Sequence, residues 1–123
     1  MTTALIIEDN DDNMALISFI LHKADFDLLE ARTGEVGVEL ALQHKPDVII
    51  LDIQLPGIDG YEVLRRIRAS EIDGSIPIVA MTSFAMTGDR ERLLAAGCDG
   101  YIEKPIDPNK VIGQIRTAME EKA

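Results

Sequence analysis

Short, continuously apolar runs alternate along the chain with longer segments in which apolar residues recur every three or four positions. The first pattern is typical of buried strands and the second of helices with one buried face. The predicted strands cover residues 4–7, 26–31, 48–52, 78–82 and 100–105. A helical segment follows each of them, so the pattern predicts five successive strand–helix pairs.

Capping and helix-breaking residues predict the helix boundaries. The first helix begins at Asn10 or Asp11, the second runs from Thr33 to about His44, the third opens at Asp59 with Glu62 in a capping box, the fourth runs from Thr87 to Ala96 before Gly97, and the fifth follows Asp107-Pro108. The residues predicted to face inward are Met14, Ile17 and Leu21, then Val36, Leu40 and Ala41, then Val63, Leu64 and Ile67, and finally Ile112, Ile115 and Met119. The fourth helix is short and polar by comparison.

Strict alternation of strands and helices predicts an α/β fold, a doubly wound five-stranded parallel sheet with helices on both faces. The run 48–52 is apolar up to its last residue, Asp52, which places it at the centre of the sheet. Residues 26–31 alternate in part, as expected of an edge strand. With 123 residues and no linker or internal repeat, residues 1–123 are predicted to form one domain.

The composition of the chain reduces the number of functional classes to consider. Hydrophobic residues make up 46% of the chain and charged residues 28%, as in ordinary soluble globular proteins. The net charge of -10 argues against direct nucleic-acid binding. No secretory signal or membrane-length apolar stretch is found, so a cytoplasmic protein is expected. The single cysteine, Cys98, excludes an intrachain disulfide, and we expect it to be a small half-buried hydrophobe.

Residues capable of chemistry stand where the predicted strands end. Glu8 and Asp9 follow the first strand, Asp52 ends the third, Thr82 ends the fourth, and Lys104 ends the fifth. The carboxyl ends of parallel strands meet at one edge of the sheet, where ligands bind in open α/β folds. Each residue alone could be a turn or capping residue. Because chemistry-bearing residues end four strands at the same edge, the pattern predicts a functional site.

These residue types suit phosphoryl transfer. Converging carboxylates repel one another unless a cation lies between them, and a site of one or two carboxylates, a carbonyl and water suits Mg²⁺. A metal ion there would offset the repulsion between a carboxylate nucleophile and a phosphoryl group. A lysine and a hydroxyl could hold the other phosphoryl oxygens.

The same residues resemble the receiver domain of two-component response regulators, the CheY-like superfamily. The resemblance rests on the pair Glu8-Asp9, the Asp-x-x-Leu-Pro-x-x-x-Gly pattern at residues 52–60, Thr82, and Lys104-Pro105. Phe84-Ala85-Met86 and the lack of an appended domain make the chain similar to stand-alone regulators of the DivK type. The resemblance implies a flavodoxin-like sheet with strand order 2-1-3-4-5.

The resemblance also implies a role for each site residue. These roles are Asp52 as phosphoacceptor, Asp9, Asp52 and the Gln54 backbone carbonyl as ligands of Mg²⁺ (or Mn²⁺), Glu8 as a ligand through water, Thr82 and Lys104 as phosphoryl contacts, and Tyr101 as a switch aromatic. Glu8 departs mildly from the family, in which Asp is frequent at this position. From the residues alone, the simpler interpretation is that Tyr101 only fills space at the edge of the sheet.

The implied function is a phosphorylation-dependent signalling switch. It would take a phosphoryl group from a histidine kinase or phosphotransfer protein and change the surface of the fourth helix, fifth strand and fifth helix. It would catalyse its own phosphorylation and slow dephosphorylation, without turnover of a separate substrate, as a monomer or weak dimer. The kinase and the downstream target stay unnamed.

Two alternative functions belong to other classes of protein. One is a binding module that does not use phosphate, which the complete acid, hydroxyl and lysine set argues against. The other is a flavodoxin-like cofactor binder, which is disfavoured because acids follow the first strand where a phosphate loop would be needed.

Three further predictions concern individual residues. The Lys104–Pro105 peptide bond is predicted to be cis, which would direct the Lys104 ammonium over Asp52. His22 and His44 have no partner ligands at metal-binding spacing and are expected on the surface. Arg65, Arg66 and Arg68 are expected to form a solvated helix face.

Overall fold

The computed structural model describes residues 2–70, 76–83 and 89–122. Its strands are β1 (Thr3–Ile7), β2 (Asp27–Ala31), β3 (Val48–Asp52), β4 (Ile78–Thr82) and β5 (Gly100–Glu103). Its helices are α1 (Asp11–Lys23), α2 (Gly34–His44), α3 (Gly60–Ser70), α4 (Asp89–Ala95) and α5 (Pro108–Lys122). The elements match the predicted order, and β5 ends two residues earlier than predicted. The predicted start of the fourth helix at Thr87 lies outside the described residues.

All five strands are parallel and lie in the order β2-β1-β3-β4-β5. The predicted doubly wound sheet is therefore confirmed, with β3 at its centre and β2 at an edge. The strand ends are in register, since Ile7 pairs with Leu51, Asp52 with Met81, and Thr82 with Glu103. The residues that end these strands are thereby brought to one edge.

Each face of the sheet has its own hydrophobic core. Ile6 and Ile50 pack with α1 and α5, whereas Ile7 and Leu51 pack with α2, α3 and Leu93 of α4. Because both faces are covered, β3 and β4 are buried at every position. This double coverage explains why their sequences show no polar alternation.

Most of the predicted helix faces are buried, and α2 is the exception. Val36 was predicted to face inward, but 43% of its surface is exposed. Ala41 is buried as predicted and Leu40 packs at the margin of the core, while Gly34 and Gly37 form the rest of the buried face. A Cβ on Gly37 would lie 2.5 Å from Cδ1 of Ile7, so α2 packs on the sheet through its backbone. Hydrophobic periodicity does not detect a helix face made of glycine and alanine, which explains the error.

The α5 prediction is confirmed in part. Ile115 is fully buried, whereas Ile112 and Met119 pack at the margin of the core. Val111 and Ala118 complete the buried face. The face of α5 that meets the sheet is therefore rotated slightly from the predicted one.

Side-chain caps explain where the helices begin. The side chains of Asn10 and Thr33 accept hydrogen bonds from the third residue after each of them, as do those of typical N-cap residues. The Asp59 Oδ1 accepts from the Glu62 amide at 3.0 Å, which is half of the predicted capping box. The Glu62 carboxylate accepts hydrogen bonds from Arg65 and Arg66. These ion pairs lower the pKa of Glu62 to about 2.

The interpretation of Arg68 as part of a solvated face is wrong. Only 16% of its side chain is exposed, compared with 66% for Arg65. The Arg68 guanidinium donates to the carbonyls of Ile76 and Gly97 and forms an ion pair with Asp99 at 2.8 Å. A long side chain at the end of a helix can reach such partners across the fold, and they are not visible in local sequence.

Candidate functional site

Four strand ends bring polar side chains into one cleft. Glu8 directly follows β1, Asp52 and Thr82 are the last residues of β3 and β4, and Lys104 directly follows β5. Glu8, Asp52 and Thr82 are at most 3% exposed, whereas Asp9 is exposed. The bottom of the site is therefore buried, and its acidic rim is open to solvent.

Three carboxylates form the acidic part of the cleft. One oxygen atom from each of Glu8, Asp9 and Asp52 lies within 4.8 Å of the other two. The backbone amide of Gln54 donates to Asp52 Oδ1 at 3.0 Å, which holds this carboxylate in place. Hard oxygen donors with an open, solvated side fit a divalent cation such as Mg²⁺, which keeps several waters. The sequence predicted these three acids together.

Lys104 lies between the two buried carboxylates of the cleft. Its Nζ is 3.1 Å from Glu8 Oε1 and 3.3 Å from Asp52 Oδ2, and its side chain is 13% exposed. The Lys104–Pro105 peptide bond is cis, as the sequence predicted. The ammonium therefore lies over Asp52, where it offsets part of the negative charge.

The pKa of Glu8 is raised to about 7. Burial is the largest cause, the hydrogen bond and charge interaction with Asp52 also raise it, and the Lys104 ammonium lowers it in part. Desolvation is the largest of these effects because a buried carboxylate loses its hydration. The complete burial of Glu8 was not predicted, since the residues that follow it are all acidic or polar.

The β3–β4 ladder stops at the site. Ile53 donates to the Met81 carbonyl at 3.0 Å, and the next ladder bond would join the Ser83 amide to the Ile53 carbonyl. The Gly60 amide donates to that carbonyl at 3.0 Å. The Ser83 amide donates instead to the side-chain Oε1 of Gln54 at 3.3 Å. The sequence did not predict this contact of the Gln54 side chain, because the family resemblance implies a role for the backbone carbonyl of Gln54 alone.

Gly60 makes this chain reversal possible. A Cβ at this position would lie 2.4 Å from the Cα of Ile53 and 2.8 Å from the Asp52 carbonyl oxygen. The backbone that follows Asp52 therefore folds back against β3 with no room for a side chain. The glycine at the end of the 52–60 pattern thus fixes the shape of the site.

Tyr101 lies on β5 beside the site. It pairs with Ala80, two residues before Thr82 on β4, so Thr82 and Ala80 point to the same face of the sheet. Tyr101 is partly buried against the core on that face. It also lines a groove of about 700 Å³ between α4 and α5. The structure therefore places Tyr101 between the cleft and an open surface, near Thr82.

Known proteins share both the sequence and the fold. Residues 4–116 match the family model of the response regulator receiver domain. The chain is 38% identical over 117 residues to the polar-differentiation response regulator DivK of Brucella ovis, which is 95% of either protein, and 37% identical to DivK of Brucella anthropi over the same share.

Solved structures agree with these sequence matches. One is the receiver domain of the sensor histidine kinase PA1611 from Pseudomonas aeruginosa, which has a magnesium ion coordinated in its active site cleft. Its TM-score is 0.88, at 32% identity over 97% of this chain and 98% of that one. A response regulator from Chloroflexus aurantiacus has a TM-score of 0.90 at 27% identity, with the same coverage. The chain belongs to the response regulator receiver domain family.

Proposed function

We propose that this protein is a phosphorylation-dependent switch that accepts a phosphoryl group on Asp52 from a histidine kinase or a histidine phosphotransfer protein. The observation that carries the proposal is the buried Asp52 carboxylate, with the Lys104 ammonium 3.3 Å away and two further acids within metal-binding distance. A nucleophile, a cation and a hard-metal donor set are the groups that phosphoryl transfer to a carboxylate needs.

The residues around Asp52 have separate roles in this proposal. Asp9, Asp52 and the Gln54 carbonyl would hold Mg²⁺, for which Mn²⁺ could substitute, and Glu8 would act on the ion through water. The bound ion supplies positive charge that offsets the repulsion between carboxylate and phosphoryl oxygens. Lys104 and Thr82 are placed to donate to phosphoryl oxygens. The burial of Asp52 excludes most water from the product.

The proposed reaction has two steps. A carboxylate oxygen of Asp52 attacks the phosphorus of a phosphohistidine, the P–O bond forms as the P–N bond breaks, and the imidazole nitrogen keeps the electron pair. The product is an acyl phosphate on Asp52. In the slow second step, water attacks the phosphorus, inorganic phosphate leaves, and the Asp52 carboxylate is restored. The chain would therefore catalyse its own modification and turn over no other substrate.

The signal would leave through a surface change. A phosphoryl oxygen on Asp52 attracts the Thr82 hydroxyl through a charge-assisted hydrogen bond. This movement makes space on the face of the sheet that Tyr101 shares, and the ring moves toward it. The groove between α4 and α5, which Tyr101 lines, changes shape as a result. Partners would bind the α4, β5 and α5 surface in one of the two states.

We further propose that the protein acts in the cytoplasm, as a monomer or a weak phosphorylation-dependent dimer. No helix in residues 2–70, 76–83 and 89–122 has the length and hydrophobicity to cross a bilayer. The single cysteine is buried, which is consistent with a reducing compartment.

Phosphotransfer from a small donor tests the proposal without knowledge of the kinase. The protein is incubated with acetyl phosphate and Mg²⁺, and its intact mass is measured. We expect a gain of one phosphoryl group, absent in Asp52→Asn and absent when Mg²⁺ is chelated. Asp107→Asn is a matched control, because Asp107 is an exposed acid beyond β5. Equal labelling of Asp52→Asn would show that Asp52 is not the acceptor, and no labelling of the parent chain would favour a phosphate-independent binding module.

A further inference from the structure

The described side chains of α4 make few contacts with the rest of the protein. Among residues 90–95, the buried side chain is Leu93. The guanidinium of Arg92 lies 4.5 Å from the centre of the Tyr61 ring, at the start of α3. Arg92 is exposed to solvent, and an exposed cation–π contact is weak. Apart from the buried Leu93, the described contact between the body of α4 and α3 is therefore one that is easily broken.

The C-terminal end of α4 is attached far more firmly. The Gly97 amide donates to the Leu94 carbonyl and the Cys98 amide to the Leu93 carbonyl, both at 3.1 Å. With Gly97 at a φ of +114°, these two bonds form a Schellman motif. The Asp99 amide then donates to the Ile78 carbonyl at 2.8 Å. The end of α4 thus continues directly into the hydrogen bonds of the sheet.

Arg68 joins this helix end to α3. Its Nε and one terminal nitrogen donate to the Gly97 carbonyl at 3.1 and 2.8 Å, and its other terminal nitrogen donates to the Ile76 carbonyl at 2.8 Å. The guanidinium also pairs with Asp99. A planar fork with several donors in fixed directions suits such a junction, and an ammonium does not reproduce it.

Asp99 keeps the Arg68 guanidinium in position. One carboxylate oxygen accepts from Arg68 and from the Ile78 amide at 3.0 Å, and the other pairs with Lys122 of α5 at 3.1 Å. The junction therefore joins α3, β4, β5 and α5. It lies at the edge of the sheet opposite the carboxylate cleft, because Ile78 starts β4 and Asp99 precedes β5.

We propose that Arg68 is a positioning residue that makes the Gly97 end of α4 a fixed pivot. A change at the cleft then moves the site-proximal part of α4, while the Arg68–Gly97 junction stays in place. The helix tilts rather than slides, because one end is held by several charge-assisted hydrogen bonds. The described side chains of residues 90–95 contribute the buried Leu93 and an exposed cation–π contact. The tilt rests on the proposed output surface. The anchoring of the Gly97 end by Arg68 can be measured in the resting protein and does not depend on phosphorylation.

Amide NMR with beryllofluoride and Mg²⁺ tests the tilt in the parent protein. We expect the shifts of residues 89–93 to exceed those of residues 96–99 at least about threefold. In Arg68→Lys, which keeps a charge for Asp99 but loses the fork, the two groups should shift by similar amounts. Arg65→Lys is the control, because Arg65 is 66% exposed on the same helix. Equal shifts in the parent, or an unchanged gradient in Arg68→Lys, would overturn the proposal.

Hydrogen exchange of the resting protein supplies the second test. Arg68→Lys should speed the exchange of the Gly97 and Cys98 amides by about tenfold, the factor expected when one or two hydrogen bonds are lost. Exchange at Val63 and Leu64 should be unchanged, which shows that the variant is folded. Unaltered exchange at Gly97 would overturn the pivot. If exchange changes but beryllofluoride moves none of residues 89–101, the proposed output surface and the tilt both fail, and only the anchoring of the Gly97 end of α4 by Arg68 stands.

Discussion

Replacement of Lys104 by methionine tests the electrostatics of the cleft directly. Methionine, like the stem of lysine, is unbranched and apolar, and the substitution removes the positive charge. The Lys104 Nζ lies 3.1 Å from Glu8 and 3.3 Å from Asp52, and its side chain is 13% exposed. The substitution therefore leaves two buried carboxylates side by side without their cation.

The size of the effect follows from these distances. At an effective dielectric constant of about 20, each contact is worth about 5 kcal/mol of Coulomb energy. The cost of desolvating the ammonium offsets much of this, and removing one partner of a buried ion pair typically costs about 3–5 kcal/mol. We take the low end, about 3 kcal/mol at pH 8, because Glu8 can become neutral by binding a proton.

The pH dependence follows from the pKa of Glu8. This pKa is raised to about 7, with burial and Asp52 raising it and Lys104 lowering it. The substitution raises the pKa further, so Glu8 in the variant is protonated at pH 5.5 and carries no charge. The stability loss should therefore be smallest below pH 7 and should grow as the pH rises above it.

Urea unfolding followed by circular dichroism, at pH 5.5 and pH 8 without divalent cations, measures both effects. Lys110→Met is the matched control, because Lys110 is exposed on α5, and it should change the free energy of unfolding by less than about 0.5 kcal/mol. A loss below about 1 kcal/mol at pH 8 for Lys104→Met, or an equal loss at both pH values, would refute the reasoning.

The remaining predictions concern other parts of the molecule. Asp9→Ala should abolish Mg²⁺ binding measured by calorimetry and Mg²⁺-dependent phosphorylation, and if the variant binds Mg²⁺ as well as the parent, the metal site is misplaced. Gly60→Ala should destabilise the fold by about 1–3 kcal/mol in urea, because its Cβ would lie 2.4 Å from the Ile53 Cα. Gly113→Ala should instead stabilise it by about 0.5–1 kcal/mol, since nothing lies within 4 Å of that position on α5; equal effects of the two substitutions would contradict the packing described for Gly60. Burial raises the pKa of the Cys98 thiol to about 12, so it should resist a thiol reagent until the protein unfolds, and the free energy of unfolding should fall as the pH rises from about 9 toward 12. Rapid labelling of the folded protein would show that Cys98 is accessible.

Much of the site could be predicted because its residues have fixed positions relative to strand ends. Apolar runs identify the strands, and in a parallel sheet the residue that follows each run must reach the same edge. The sequence therefore predicts that Glu8, Asp52, Thr82 and Lys104 lie together. The contacts within the site could not be predicted in the same way. The Gly60 amide donates to the Ile53 carbonyl, which would otherwise accept from the Ser83 amide. The Ser83 amide therefore donates to the Gln54 side chain.

The sequence alone determined the order of elements, the parallel sheet and the edge that carries the chemistry, because these depend on local periodicity and on which residues end each strand. The tertiary structure decided how deeply each group is buried and what it contacts. It buried Glu8 and raised its pKa, exposed Val36 where glycines let α2 approach the sheet, and placed Arg68 against Gly97. Arg68 and Gly97 are 29 residues apart. Burial and partners at such separations are set by packing between elements, and no local pattern in the chain encodes them.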